Sequence, residues 1–232
     1  GRANKYFLNT CKKIFCYTDQ IKNFPIIFKD KIIIINPLVS QHVYKFDSSK
    51  KIKDKFNMLI VGGSQGANIF DNNLKKSIVN ISEKVSIKVF HQTSEKNISH
   101  LKNFYSNNNV ENKIFSFDKN FSSIIQQTDL CITRAGASTL AELSVLNIPF
   151  IAVPLPTSKD NHQYENANFY KNNDCCWVIN QNNFEEKIEG ILKDIIKNKS
   201  DYINKKEKLK KLNYQNTWIN VNQKILNSIN EN

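Results

Sequence analysis

This sequence of 232 residues lacks several things that would place it in well-defined classes. Its longest aliphatic run, Ile32 to Ile35, is strand-sized and far short of the ~18–20 apolar residues that a membrane-spanning helix requires. Cysteine is sparse: Cys11, Cys16, Cys131, Cys175 and Cys176 are odd in number and contain no C-x-x-C spacing. That argues against a disulfide framework and a zinc site, and for reduced thiols in a cytosolic setting. The four histidines, His42, His91, His100 and His162, have no metal-ligand spacing, so no metal is expected. Neither a Gly-Lys-Ser/Thr at Walker spacing nor a G-x-G-x-x-G fingerprint occurs, which excludes the common phosphate-binding and dinucleotide motifs. Acidic residues are outnumbered, 21 against 33 Lys and Arg, for a formal net charge of +12. Such an excess favours an anionic partner, whether nucleic acid, an acidic membrane surface or a phosphorylated ligand, without choosing among them. Hydrophobic residues at 40% and charged residues at 23% describe a polar but globular chain rather than a disordered one.

The apolar segments that are present alternate in type. Gly1 to about Tyr17 reads as a helix; because it opens without Met, an N-terminally incomplete protein is expected. Lys31–Ile35 is a short β-branched run ended by Asn36-Pro37, and the polar stretch from Ser48 to Lys55 reads as a linker. From Met58 the rhythm changes. Strands are expected at Met58–Val61, Val85–Phe90, Lys113–Phe117, Leu130–Thr133, Pro149–Pro154 and Cys176–Ile179. Helices are expected through Phe70, Leu74 and Ile78, and over Ser99–Tyr105, Phe121–Gln127, the segment after Arg134, and Asn161–Lys171. Strand–helix alternation with runs buried on both faces implies a doubly wound parallel sheet in an α/β domain. The remainder is helical: Phe184–Lys197, a very basic Ser200–Leu212, and Trp218–Ile229 with an apolar stripe.

In open α/β sheets, ligands bind beyond the carboxyl ends of the strands. Two turns rich in small residues lie there. Gly62-Gly63-Ser64-Gln65-Gly66 allows a tight turn and close backbone approach, and the helix start behind it suits phosphate; a tight turn without a ligand explains the same residues. The second turn is Arg134-Ala135-Gly136-Ala137-Ser138-Thr139-Leu140-Ala141-Glu142. Thr139 and Glu142 fit a capping box, so Glu142 either caps its own helix or accepts hydrogen bonds from a ribose diol while N–H groups near Ser138 and Thr139 hold phosphate. Arg134 either neutralises a diphosphate or is an ordinary surface residue. A third segment, Pro154 to Gln163, is a polar loop entering a helix that carries Asn166. Gln163 there suits sugar hydroxyls or merely begins a solvated helix, and His162 is no stronger than a structural histidine.

Three segments in order, Leu59–Ala67, Thr133–Glu142 and Val153-Pro154-Leu155-Pro156 through His162-Gln163 to Asn166-Ala167, resemble the bacterial peptidoglycan N-acetylglucosaminyltransferase family. Phe90-His91-Gln92-Thr93, Asn36-Pro37 and Gly1-Arg2-Ala3-Asn4 add to the likeness, which covers essentially the whole chain. The resemblance implies a GT-B architecture: a C-terminal UDP-sugar-binding Rossmann-like domain over residues 47–213, a remnant of the N-terminal domain over 1–46, and a C-terminal helix over 214–232 that packs back on the N-terminal domain. It implies transfer of GlcNAc from UDP-GlcNAc to undecaprenyl-pyrophosphoryl-MurNAc-pentapeptide, giving lipid II for the cell wall, at the cytoplasmic side of the inner membrane and against its anionic surface. By the same resemblance, Gly63, Ser64, Gln65 and Gly66, with Arg134 and the turn Ala137, Ser138, Thr139, Leu140 and Ala141, face the diphosphate. Glu142 binds the ribose, the backbone around Asp118 the uracil, and Gln163 the sugar. No cofactor or metal is implied, and the family's base, a His, falls in the absent N-terminal part, so no catalytic residue is assigned. Where the family has Arg two residues after Asn-Pro, this chain has Val39. The rival readings are another UDP-sugar GT-B enzyme such as a UDP-GlcNAc 2-epimerase, and a basic nucleic-acid-binding module with Lys205–Lys211 tracking phosphates. With no nucleic-acid motif, that run reads as a solvated helix face and no nucleic-acid partner is expected.

Overall fold

The computed structural model describes residues 2–17, 21, 23–35, 39–45, 55–63, 68–118, 121–212 and 218–230. Asn36-Pro37 and nearly all of the expected linker 48–55 lie outside them. The chain forms two compact units, Gly1–Gln41 with Gln215–Asn232, and His42–Tyr214.

In the first unit the helix expected to reach Tyr17 stops early. α1 is Arg2–Phe7, and Ile14–Cys16 is instead a strand, β1, parallel to β2 (Ile32–Ile34). Three consecutive residues of β-branched, aromatic and thiol type fit a strand better than a helix. The turn between is closed by the N–H groups of Thr10 and Cys11 on the Phe7 carbonyl, at 3.1 and 2.9 Å. Lys31, just before β2, donates to the carbonyls of Leu8 at 3.0 Å and Cys11 at 2.8 Å, satisfying acceptors left at the helix end.

The second unit contains β3 (Phe56–Val61), α2 (Asn68–Asn73), α3 (Lys75–Ser82), β4 (Ile87–Gln92), α4 (Ile98–Asn107), β5 (Glu111–Phe115), α5 (Phe121–Gln127), β6 (Leu130–Thr133), α6 (Ala137–Val145), β7 (Phe150–Ala152), α7 (His162–Asn172), β8 (Trp177–Val178), α8 (Phe184–Lys197) and α9 (Lys199–Leu212). α10 (Trp218–Asn230) belongs to the first unit. Six strands form one parallel sheet in the order β5-β4-β3-β6-β7-β8. The chain therefore runs outward from β3 in one direction, then returns to β6 beside β3 and runs outward in the other. α3 packs with α4 and α8, and α6 packs with α7 and α9, giving the two helical layers of a doubly wound fold. Met58, Ile60, Val89, Ile132 and Ile151 join Phe70, Leu74, Ile78, Leu101, Phe184, Ile188 and Leu192 in one buried cluster. Leu59, Cys131 and Phe150, at the intervening strand positions, are buried as well, so both faces of the sheet are covered.

Three helices end alike. After α4, α6 and α7 the residue in the left-handed region is Asn109, Asn147 or Asp174, with φ of 56°, 53° and 56°. In each case the next residue reaches back across the last turn: Val110 N–H to the Tyr105 carbonyl, Ile148 to Leu143, Cys175 to Tyr170, all at 2.9 Å. All six of those side chains are buried. This is the Schellman closure with its apolar contact, and each instance feeds directly toward a strand, β5, β7 or β8.

Several expectations shift. β5 lies two residues earlier than Lys113–Phe117, leaving Phe117 79% exposed beyond its carboxyl end. The helix through Phe70 and Ile78 is two pieces meeting at the buried Leu74. On α10 the stripe divides: Val221 is buried whereas Leu226 and Ile229 are exposed. Lys205 does not belong to a solvated basic face. It is buried, its Nζ 2.7 Å from Asp174 Oδ1 and 3.6 Å from Asp201 Oδ1, with the Trp177 ring centroid at 5.1 Å. Lys205→Ala removes this ion pair, the cation–π contact and the packed stem together. The folded chain is expected to lose about 1–2 kcal/mol, read as a lower urea midpoint at unchanged slope.

Candidate functional site

The strand order reverses between β3 and β6, so the chain leaving each turns to a different face and a crevice opens at their carboxyl ends. Both turns singled out in the sequence begin there. β3 exits at Gly62–Gly63, and Gly63 takes φ +76°, a conformation that side-chain-bearing residues adopt at a cost. Ser64, Gln65 and Gly66 lie outside the described residues. Arg134 N–H donates to the Val61 carbonyl at 3.3 Å and ties the two exits together, while Val153 N–H, just after β7, donates to the Thr133 carbonyl at 2.8 Å and holds the end of β7 to β6. Asn166, on α7, donates from Nδ2 to the Ala135 carbonyl at 3.0 Å and so fixes the start of the second turn.

That second turn corrects the capping-box expectation. α6 starts at Ala137, its N-cap is Gly136 in an extended conformation (φ −69°, ψ 132°), and no side chain caps it. Thr139 is therefore the third helical residue, and Glu142 does not close a box with it. The Gly136 carbonyl accepts from Leu140 N–H at 3.0 Å. The N–H groups of Ala137, Ser138 and Thr139 precede the first intrahelical bond and have no carbonyl within the helix to meet. Three such donors and the positive end of the helix dipole converge on the crevice mouth, an arrangement suited to phosphate oxygens. Ala137 and Ser138 are exposed, Leu140 and Ala141 are buried beneath them, and Glu142 is half-buried farther along the helix.

Two expected ligand contacts are already engaged within the protein. The Arg134 guanidinium donates to the Val153 carbonyl at 3.2 Å and to Gln181 Oε1 at 2.6 Å, and lies 5.5 Å from the Phe70 ring centroid. It is half-buried, and that burial lowers its pKa. Arg134 thus ties the ends of β6 and β7 to the segment after β8. Gln163 Oε1 accepts the Leu155 N–H at 3.0 Å, and the Gln163 N–H donates to Ser158 Oγ at 3.4 Å. Gln163 thereby braces the 155–158 loop against the start of α7. His162 is exposed, with Nδ1 2.7 Å from the Lys159 carbonyl. Beyond β5, Asp118 pairs with Lys113 at 2.6 Å, and its carbonyl accepts the Phe121 N–H at 3.2 Å. Val39 is buried. Among the described residues no group of three or more His, Cys, Asp or Glu is placed to hold a metal ion.

Sequence reasoning missed a buried polar network at the end of β4. Asp71, from α2, accepts Thr93 Oγ1–H at 2.6 Å and Asn97 Nδ2–H at 2.8 Å on one carboxylate oxygen. Its other oxygen lies 3.2 Å from His91 Nε2, and His91 Nδ1 lies 3.2 Å from the Tyr105 hydroxyl. Burial lowers the His91 pKa, with Asp71 only partly opposing it. For Asp71, burial acts upward, but the hydrogen bonds from His91, Thr93 and Asn97 outweigh it and hold the carboxyl below its usual value. A neutral His91 protonated at Nε2, with Tyr105 donating to Nδ1, sets the ring's N–H toward the Asp71 carboxylate at 3.2 Å, outside good hydrogen-bond geometry. The signal in the sequence was an aspartate directly beside Phe70 on an apolar helix face, and a histidine inside a buried strand.

Comparison with known proteins supplies the context for this crevice. Residues 57–217 match the glycosyltransferase family 28 C-terminal domain. Over 233 aligned positions the chain is 47% identical to the UDP-N-acetylglucosamine–N-acetylmuramyl-(pentapeptide) pyrophosphoryl-undecaprenol N-acetylglucosamine transferase of Pelagibacter ubique (strain HTCC1062), covering 100% of this chain and 65% of that protein. The protein of the same name from Rickettsia bellii (strain RML369-C) is 34% identical, over 85% of this chain and 58% of its own length. The chain thus spans about three-fifths of the length of these curated relatives. Among solved structures, Acinetobacter baumannii MurG shares the fold with a TM-score of 0.71 at 21% identity, covering 91% of this chain and 59% of the other. A UDP-N-acetylglucosamine 2-epimerase shares it with a TM-score of 0.57 at 13% identity, over 88% and 54%.

The buried imidazole makes stability depend on pH. An unfolded chain protonates His91 near the ordinary 6.5, whereas the folded chain resists protonation until lower pH. The His91 contribution is therefore complete above about pH 6.5 and is lost as pH falls toward the folded value. Asp71, held below 3.8, contributes stability that persists until more acidic pH. Urea unfolding at pH 7.5 and 5.5 is expected to show a weaker fold at 5.5 and a smaller difference in His91→Gln. An unchanged difference in the variant would contradict a buried neutral imidazole.

Proposed function

We propose, for a chain that belongs to glycosyltransferase family 28 and carries its C-terminal domain, that the crevice at β3 and β6 binds UDP-N-acetylglucosamine. It is the donor half of an enzyme that transfers N-acetylglucosamine to undecaprenyl-pyrophosphoryl-MurNAc-pentapeptide, giving lipid II. The observation that carries this reading is the start of α6: three first-turn N–H groups without helical acceptors, facing the mouth of a crevice whose other wall leaves β3 at Gly62–Gly63.

The chemistry follows from those groups. Breaking the bond between the sugar anomeric carbon and the diphosphate leaves negative charge on UDP. Fixed N–H dipoles stabilise that charge without reorganising as it develops. The diphosphate lies against Ala137, Ser138 and Thr139 on one side and the Gly62–Gly63 exit of β3 on the other, and the ribose diol donates to Glu142. Uracil meets the backbone between Ser116 and Asp118. Sugar hydroxyls meet the Nε2 side of Gln163, whose Oε1 is already held by Leu155. Arg134 contributes by bracing the crevice and adding positive charge behind it. No base is assigned within this chain. The net charge of +12 supports a peripheral position at the anionic cytoplasmic face of the inner membrane. Among the described residues no helix is long and apolar enough to cross a membrane.

Calorimetric titration with UDP-GlcNAc, UDP-glucose and ATP tests the reading. Saturable binding that prefers the uridine nucleotides is expected, and a folded chain with no such preference would overturn it. Glu142→Ala is expected to weaken binding about tenfold, the scale of one or two lost hydrogen bonds. Ala137→Pro is a sharper probe. Proline is favoured at the first helical position, and Gly136 already has the extended conformation that a following proline requires. This change deletes one donor while leaving the helix intact, so affinity for UDP should fall about tenfold with thermal stability unchanged or slightly raised.

A further inference from the structure

The basic run Lys205–Lys211 is divided by the fold. Lys205 turns inward to Asp174, and Leu209 is buried. Lys208 and Lys211, one helical turn apart on α9, instead border a recess of about 450 Å³ lined by Asn172, Asn173, Asp174, Lys208, Lys211 and Leu212. Residues 172–174 lie between α7 and β8, so the recess sits at the amino end of the parallel sheet, away from the crevice. The groups there that would repel an anion are already engaged. The Asp174 carboxylate accepts from Lys205 Nζ at 2.7 Å on one oxygen and from Asn204 Nδ2 at 2.9 Å on the other. The last carbonyls of α7 are met as well: Phe169 by Asn173 Nδ2 at 2.7 Å, and Tyr170 and Lys171 by the N–H groups of Cys175 and Asp174, both at 2.9 Å. With those carbonyls satisfied, the negative end of the α7 dipole is blunted. Among the described residues, neither Lys208 nor Lys211 lies within ion-pair distance of a carboxylate.

We propose that this recess is a second anion site, which takes a phosphate group between the Lys208 and Lys211 ammoniums, with the exposed Asn172 amide as a further donor. The site is independent of what binds the crevice. Lys208 lies a full turn before the end of α9, where the helix dipole does little for a cation, so neutralising that dipole does not account for it. Two ammoniums on one helical face suit a single doubly charged group rather than a nucleic-acid strand. Lys206 and Lys210 fall on the other side of α9, so the run forms no continuous track of cations. The recess is roomier than a bare phosphate ion needs, and Leu212 gives it an apolar wall. It therefore accommodates a phosphate ester, whether a free phosphorylated metabolite or the head group of a phospholipid. Lysine ammoniums meet such oxygens as charge-assisted donors, and an open recess keeps the attraction sensitive to salt.

The amide resonances of the isotope-labelled chain would be followed while inorganic phosphate and then glycerol phosphate are titrated in. Signals of Asn172, Asn173 and Leu212 report the recess and those of Ala137–Thr139 the crevice, so the two are read apart. Saturable shifts at the recess are expected. Lys208→Gln combined with Lys211→Gln is expected to weaken them about tenfold. Lys206→Gln combined with Lys210→Gln removes the same charge from the other side of α9 and is expected to leave them unchanged. All four side chains belong to the outer part of α9, so both double variants are expected to fold, which their thermal midpoints check. Co-sedimentation with phosphatidylglycerol vesicles then identifies the source of the phosphate. Retention lost in the first double variant and kept in the second assigns a lipid head group; equal retention in both, with the shifts still selective, assigns a free phosphate ester. Either result supports the site. Absence of saturable shifts at the recess would overturn the inference, as would equal weakening in the two double variants, the mark of diffuse attraction to a basic surface.

Discussion

Two adjacent parallel strands that send their chains to opposite faces of a sheet leave a gap that neither connection fills. In this chain those strands are β3 and β6, and nearly everything of interest is arranged around their carboxyl ends. The gap follows from chain order: outward through β4 and β5, back beside β3, then outward through β7 and β8. Right-handed crossovers place the helices of the two halves on opposite faces. The start of α6 thus meets the exit of β3 without any side chain having to bring them together. Arg134 N–H on the Val61 carbonyl then locks the two exits in register.

What the sheet positions coarsely, polar side chains position finely. Arg134, Gln163 and Asn166 all sit at the crevice, and all three spend hydrogen-bonding capacity on the protein's own backbone. A site whose walls are held by its own polar groups loses less entropy when a ligand arrives. The Asp71 network does the same on the other side of β3, deeper in the sheet layer. The mouth of the crevice consequently presents the backbone N–H groups that open α6, with Arg134, Gln163 and Asn166 acting as struts around them.

The fold was legible where burial imposes a local pattern. Met58–Val61 and Leu130–Thr133 read as strands because both of their faces are covered, so every residue is apolar or small. The edge strand β5 was displaced by two residues because Glu111-Asn112-Lys113 alternates in burial and gives little hydrophobic signal. β1 was misread as helix because a three-residue strand is specified by its partner, Ile32–Ile34, rather than by itself. At the site, the two turns were legible as small-residue runs after strands. Roles were less so. Thr139 and Glu142 match a capping box by spacing, but the spacing is the same whether the helix starts at Ala137, as it does, or at Leu140, as the box requires. The partners of Arg134 lie 19 and 47 residues away, and Thr93 finds Asp71 across 22 residues. No local pattern encodes such pairings. The family resemblance reached them no better, because it assigns contacts to a ligand rather than contacts within the protein.

The left-handed turns have a consequence for how this chain distributes its conformational free energy. With only six glycines in 232 residues, it places Asn or Asp at the sharp ends of α4, α6 and α7, where glycine is the common solution. Glycine would relieve backbone strain in the folded state, but it would enlarge the set of conformations open to the unfolded chain. Asparagine reverses that balance, accepting roughly 1 kcal/mol of strain at each turn in return for a less disordered starting ensemble. Exchanging these residues for glycine therefore moves the cost from one side of the folding equilibrium to the other with little net change. Gly63 stands apart. A Cβ there would meet nothing within 4 Å, so torsion rather than lack of room disfavours a side chain at the rim of the crevice.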